Sequence, residues 1–306
     1  MSIIFFGTPE FAIPSLKALL GSGEEIALVI TKPDKAKGRG HRLSPPPIKS
    51  LALETGLRVL QPAASMDEGV AHEIALLRPE FIIVVAYGKI LPRGILEIPR
   101  YGCVNVHASL LPKYRGASPT QWAILNGEVK TGVTTMLMDE GLDTGPLLLQ
   151  QETAIHEEDT GESLGERLAG IGASLLVKTM KGLREGTIMP VPQRGSSSYA
   201  PPLKKTDGLV DWSKSAREVF NFVRGMLPWP GAYCHIGNIK TILFRTEVLE
   251  GKGIPGVIEK IVKKGPMVGT GDGLLLITDL QPSGKRRMSA EAFMLGRSLH
   301  EGERIL

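Results

Sequence analysis

The run Phe81-Ile82-Ile83-Val84-Val85-Ala86-Tyr87 constrains the fold more than any other stretch of this chain. It offers no charged residue to turn toward water, so as a strand it must be covered on both faces. Sheets of α/β proteins meet that demand with helices on either side. The N-terminus reads the same way: Ser2 to Gly7 is a short apolar strand, a glycine turn leads into a helical pattern to Leu20, and Ile26 to Thr31 is a second strand. The expected class is therefore α/β, a Rossmann-like, mostly parallel sheet with helices on both faces. The first turn holds one glycine where a dinucleotide fingerprint needs G-x-G-x-x-G, which removes a nicotinamide site.

Periodicity places helices over Pro47 to Thr55, Met66 to Leu77 (after Ser65 as N-cap) and Ser118 to Leu125. Arg58 to Gln61, Gly102 to Val106, Gly132 to Met138 and Pro146 to Ala154 read as strands, and Thr160 to Arg184 as a long helical pattern interrupted by Gly170 and Gly172. From Gly186 to Pro202 prolines and serines give linker chemistry. Short apolar runs beyond it, from Ala232 to Leu280, suggest a small β-barrel. The expected division is a catalytic domain over 1–189, a linker over 190–206 and a second domain over 207–306.

No apolar run approaches the roughly 18 residues that span a bilayer, and no secretory signal opens the chain. Cys103 and Cys234 are the only cysteines, which fits a reducing, cytoplasmic setting; neither they nor six scattered histidines suggest a metal site. Residues 199–306 carry 16 Lys/Arg against 11 Asp/Glu and so hold the whole positive excess. Lys32 to Pro47 is a second basic stretch, an expected long loop with Lys35, Lys37, Arg39 and Arg42 around Gly38 and Gly40. Such a loop is either a solvated connection or a phosphate-binding element, and composition alone leaves both open.

The chemistry concentrates between Asn105 and Gly145. Asn105 and His107 stand two apart on a strand and project from one face. A loop between glycines, Asp139 to Asp143, follows the later strand. Singly, each residue has a bland reading: a structural histidine, a turn-forming aspartate, an asparagine that satisfies backbone groups. Together, an amide, an imidazole and the Asp143 carboxylate suit acyl transfer between nitrogens. Asn105 and a protonated His107 would bind the oxyanion, and Asp143 would stabilise the protonated ring and accept the amine's proton. A serine nucleophile is disfavoured, because no G-x-S-x-G elbow exists.

The motifs Asn105-Val106-His107-Ala108-Ser109-Leu110-Leu111-Pro112, Gly132-Val133-Thr134-Thr135-Met136 and Asp139-Glu140-Gly141-Leu142-Asp143-Thr144-Gly145 resemble the 10-formyltetrahydrofolate-dependent formyltransferases. The likeness runs on through Val84-Val85-Ala86-Tyr87-Gly88, Asp211-Trp212 and Gln281-Pro282-Ser283-Gly284-Lys285, nearly the whole chain. It implies a Rossmann-like catalytic domain followed by an OB-like β-barrel that touches tRNA, with Asn105, His107 and Asp143 as catalytic residues. It implies folate contacts at Ser109, Leu110, Leu111 and Pro112, and also at Tyr87, Gly88, Asp139, Glu140 and Gly141. It implies 10-formyltetrahydrofolate as donor, without a metal, and initiator methionyl-tRNA as acceptor, gripped by Lys35, Lys37, Arg39, Arg42, Lys204 and Lys205. A monomer is expected. Ala108 and Tyr114 stand where relatives often carry Gly and Trp. The rival readings are a related enzyme acting on an amino sugar or glycinamide ribonucleotide, and a non-catalytic RNA-binding protein.

Overall fold

The computed structural model describes residues 2–37, 42–62 and 68–306. Its elements in chain order are β1 (Ser2–Gly7), α1 (Ile13–Gly21), β2 (Glu25–Ile30), β3 (Lys35–Lys37), β4 (Arg42–Ser44), α2 (Pro47–Glu54), β5 (Val59–Leu60), α3 (Glu68–Leu76), β6 (Phe81–Val85), α4 (Arg93–Leu96), β7 (Cys103–His107), β8 (Arg115–Gly116), α5 (Pro119–Leu125), β9 (Lys130–Leu137), β10 (Leu147–Ala154) and α6 (Gly161–Glu185). There follow β11 (Tyr199–Ala200), α7 (Ala216–Gly225), β12 (Tyr233–Ile236), β13 (Ile239–Leu249), β14 (Ile258–Val262), β15 (Gly265–Gly269), β16 (Leu274–Pro282), β17 (Met288–Ser289) and α8 (Ala290–Leu295).

The chain forms two compact units: Met1–Pro119, Thr131–Ala154 and Gly165–Ala200 make the first, and Thr120–Lys130, Ile155–Leu164 and Pro201–Leu306 the second. The first unit is built on a seven-stranded sheet ordered β10-β9-β7-β6-β1-β2-β5. Strands β5, β2, β1, β6 and β7 are parallel, and β9 joins β7 antiparallel. Every residue of β6 is buried, as its apolar run demands. One face packs Ile4, Phe6, Leu28, Ile30, Ile82 and Val84 against Ile74 of α3 and Ile95 of α4.

Two expectations are corrected. The stretch read as one long loop from Lys32 to Pro47 contains an antiparallel hairpin, β3–β4, with Lys35 opposite Ser44 and Lys37 opposite Arg42. Three residues a strand are too few for a periodic signal. The helix from Gly161 to Glu185 is continuous, so Gly170 and Gly172 do not interrupt it. A Cβ on Gly172 would stand 2.7 Å from Val106 Cγ1, so this glycine serves close helix–sheet packing. The start of the helix expected from Met66 lies outside the described residues.

The second unit is an antiparallel sheet ordered β12-β13-β16-β15-β14, with β17 added to β16. Its two edges do not stay open. Residues 304–306 bridge Val257 just before β14 and Ile236 of β12, and Leu306 exchanges both backbone bonds with His235. That closure is how a small barrel removes unpaired edges. Its core gathers Trp212, Val219, Cys234, Ile236, Leu243, Val268, Leu275 and Ile277, with Trp122 and Leu125 packed against it. Among the described residues no helix is long and apolar enough to cross a membrane.

Candidate active site

Strand alternation puts Val106 toward α6, so Asn105 and His107 project from the opposite face of β7. Both are nearly sealed from solvent, at 9% and 6% exposure. The facing carboxylate arrives from the loop between β9 and β10. There Asp139 folds the turn onto itself, accepting from Gly141 N at 3.0 Å and Thr144 Oγ1 at 2.7 Å. The loop turns Asp143 inward with a left-handed φ of 52°.

The Asp143 carboxylate is then held from three sides. Gly116 N donates to Oδ2 at 2.8 Å, and Asn105 Nδ2 donates to Oδ1 at 3.3 Å. His107 Nδ1 lies 3.6 Å from Oδ2. The other ring nitrogen, Nε2, lies 2.9 Å from the carbonyl oxygen of Tyr114. A carbonyl only accepts, so Nε2 carries the hydrogen and Nδ1 is the nitrogen that faces the carboxylate. The three groups chosen from sequence thus converge, with Asn105 hydrogen-bonded to Asp143 and the His107 ring within ion-pair distance of it, a set able to polarise a carbonyl and pass a proton.

The expected folate contacts divide into two groups. Ser109 is fully buried; its Oγ donates to Lys113 O at 2.6 Å. Thr134 Oγ1 donates to Ser109 O and accepts from Leu111 N, and Gln150 Nε2 donates to Leu111 O. These residues, with the cis Leu111–Pro112 bond, fix the chain reversal after β7. The Tyr87 ring is also buried, edge-on to Phe6. Burial pushes its phenol up to about 12. Gly88, Glu140 and Gly141 are exposed, as are the large apolar side chains of Ile90 and Leu142. Glu140 helps raise the Arg93 pKa, after the dominant contribution of Glu97, so the loop of residues 139–143 lies near the start of α4.

Of the basic residues, Lys35 is exposed and Lys37 and Arg42 pair in the β3–β4 hairpin, while Arg39 lies outside the described residues. The hairpin is rooted by Asp34, whose two oxygens each lie 2.8 Å from Lys49 Nζ, and Gln61 Nε2 donates to Asp34 and to Lys32 O. Those bonds from Lys49 and Gln61 hold the Asp34 carboxyl below its usual value. Lys32 donates to Gly88 O at 3.1 Å, and burial, then Lys35 and Lys89, lower its pKa. In the second unit Lys204 and Lys205 are exposed beside a short helical turn.

Residues 1–180 match the formyl transferase family, and residues 202–298 match the formyl transferase C-terminal domain. The methionyl-tRNA formyltransferase of Thermodesulfovibrio yellowstonii is 56% identical over 300 residues, covering 98% of this chain and 97% of that one. The same-named protein of Pelobacter propionicus is 52% identical over 302 residues, covering 98% and 95%. The chain belongs to the methionyl-tRNA formyltransferase family. Its fold recurs in the N-formyltransferase of Helicobacter canadensis, solved with folinic acid and dTDP-3-aminofucose, at a TM-score of 0.68 and 20% identity over 94% of this chain and 99% of that one.

Several groups around Asn105, His107 and Asp143 escaped the sequence reading. The Tyr114 carbonyl and the Gly116 N–H are backbone groups without a side-chain signature, although Gly116 stands inside the central motif. Its φ of 118° and a Cβ position 2.7 Å from the Ala200 carbonyl require glycine there. Gln193, which meets Arg115 near Asp143, had no signal, because it sits in a stretch read as linker.

Proposed function

We propose that Asn105, His107 and Asp143 transfer the formyl group of 10-formyltetrahydrofolate to the α-amino group of initiator methionyl-tRNA, giving N-formylmethionyl-tRNA for translation initiation. The convergence of these three groups at the end of β7 carries the reading. In the transfer a neutral amine attacks the formyl carbon, a new C–N bond forms and the carbonyl becomes an oxyanion. Asn105 turns one amide hydrogen to Asp143, and the other is the donor for the oxyanion. His107 joins it by exchanging the Tyr114 carbonyl for the oxyanion at Nε2. The amine's proton passes to the Asp143–His107 pair and on to N10 of the folate as the old C–N10 bond breaks.

The exposed Gly88, Glu140 and Gly141, with Ile90 and Leu142, support a flat, partly apolar donor beside this set; Ser109, Leu111 and Tyr87 shape it from behind. Two basic surfaces support an RNA acceptor. One is the β3–β4 hairpin. The other is the outer face of β12–β13–β16, where Lys240 lies over the Tyr233 ring at 3.3 Å and Arg287 over Phe244 at 4.7 Å. Lys205 is near enough to Lys240 to lower its pKa, burial being the larger cause. Cations interleaved with aromatics suit a phosphate backbone and its unstacked bases.

The deciding experiment offers the protein 10-formyltetrahydrofolate with charged initiator methionyl-tRNA, and with free methionine and uncharged tRNA as controls. Formyl transfer to the charged tRNA alone is expected. Equal transfer to a small amine would overturn the assigned acceptor.

A further inference from the structure

The segment that follows α6 does not behave as a linker where it passes the active site. Gln193 Nε2 donates to Asp143 O and to Gly145 O, both at 2.8 Å, so one amide clasps the loop on either side of Thr144. The oxygen of the same amide accepts from Arg115 Nη2 at 2.7 Å and from Nε at 3.3 Å, which fixes which way the amide faces. Arg115 directly precedes Gly116, whose N–H holds the Asp143 carboxylate. The dipeptide Arg115–Gly116 therefore controls both ends of Asp143, the carboxylate directly and the backbone through Gln193. Five residues on, Ser198 Oγ accepts from Tyr114 N at 2.9 Å, and Ser198 O accepts from Arg115 N at 2.8 Å. Tyr114 is the residue whose carbonyl receives His107 Nε2. Both partners of the His107 ring are thus braced by the same short segment.

We propose that Gln193 is a positioning residue that sets the Asp143 carboxylate for catalysis. The need for it is visible in the backbone. Asp143 is left-handed at φ 52°, a conformation that a non-glycine residue keeps only where its surroundings impose it. The bonds of Asp139 fold the front of the loop and do not reach Asp143. Without the Gln193 donors the loop has a cheaper conformation available, in which the carboxylate leaves Gly116 and His107. The inference rests on Asp143 being catalytic.

The test uses the full chain with Gln193→Met, which keeps length and removes both donors, and Gln193→Glu, which keeps an acceptor for Arg115 and removes the donors. A misplacement of about 1 Å costs up to roughly 100-fold in rate, so each variant should lose on the order of 10- to 100-fold in kcat. KM for both substrates should stay within about twofold, because binding contacts are untouched. In single-turnover assays on an Asp143→Asn background, Gln193→Met should cost nothing further, since its effect acts through that carboxylate. Normal kcat in both variants, with Asp143→Asn inactive, overturns the proposal and leaves the catalytic set standing. A full additional loss on the Asp143→Asn background also overturns it. Near-normal turnover in Asp143→Asn itself overturns the underlying reading. Should Gln193→Met fail to fold, Gln193→Glu decides alone.

Discussion

His107 Nε2 and the Tyr114 carbonyl oxygen are 2.9 Å apart, and this one bond orients the ring. It is satisfied with the hydrogen on Nε2, which leaves Nδ1 facing Asp143 at 3.6 Å. Tyr114 can present its carbonyl this way because its backbone is left-handed at φ 60°, at the turn stitched to Ser198.

Asp143→Asn keeps the shape of the site and an oxygen for Gly116, but it removes the charge that faces Nδ1. Loss of general acid–base assistance should lower the single-turnover rate by about 10²- to 10⁴-fold, and His107→Ala should fall in the same range. tRNA retention on a filter should persist in both. A rate within about threefold of the parent would remove the residue concerned from the mechanism.

Gly172 tests how tightly β7 is packed. Gly172→Ala gains helix propensity of up to about 1 kcal/mol, yet its methyl would meet the stiff, buried Val106 between Asn105 and His107 of β7. Overpacking of this kind costs about 1–3 kcal/mol, so the net change in denaturant midpoint should be destabilising, with turnover reduced. Adding Val106→Ala should recover part of both losses. Additive losses in the double variant would refute the proposed contact.

The apolar strands were legible because two-sided burial leaves β6 no polar position, and β1 and β2 only their first residues, Ser2 and Glu25. Asn105, His107 and Asp143 were legible because their chemistry is carried by side chains on a strand end and a glycine-bounded loop. The β3–β4 hairpin was not, since its short strands lie in polar sequence. Gln193 was hidden for a different reason: Pro190, Pro192 and Gly195 around it signal only an extended chain. An extended chain uses hydrogen bonds from wherever it is laid, and sequence does not say where. Likewise Trp122 and Leu125, inside what read as the catalytic domain, pack on the core of the second unit.

Both thiols should be silent. Burial pushes Cys103 and Cys234 up to about 12, and both are almost fully enclosed. A thiol-reactive dye attacks the thiolate, so at pH 8 neither should label until denaturant is added. The folded thiols hold their protons more tightly than unfolded ones, whose pKa is about 8.5. Their contribution to stability is therefore complete below that pH and is lost as pH rises toward 12. Rapid labelling of the native protein would show that one of them opens to solvent.

The basic outer face of the second unit should read as counterion release. Each phosphate contact contributes about 0.9 to the slope of log affinity against log salt on a duplex, and about 0.7 on a single strand. Lys204→Ala, Lys205→Ala and Lys240→Ala should each weaken methionyl-tRNA binding and reduce that slope by nearly one contact, while donor binding is unchanged. Tyr233→Ala should weaken binding without changing the slope, because stacking releases no ions. Surface substitutions are the right probe here, since cutting the chain before Pro201 would strip Trp122 and Leu125 of their core. An unchanged slope in all three lysine variants would move the RNA off this face and leave the β3–β4 hairpin as the main grip.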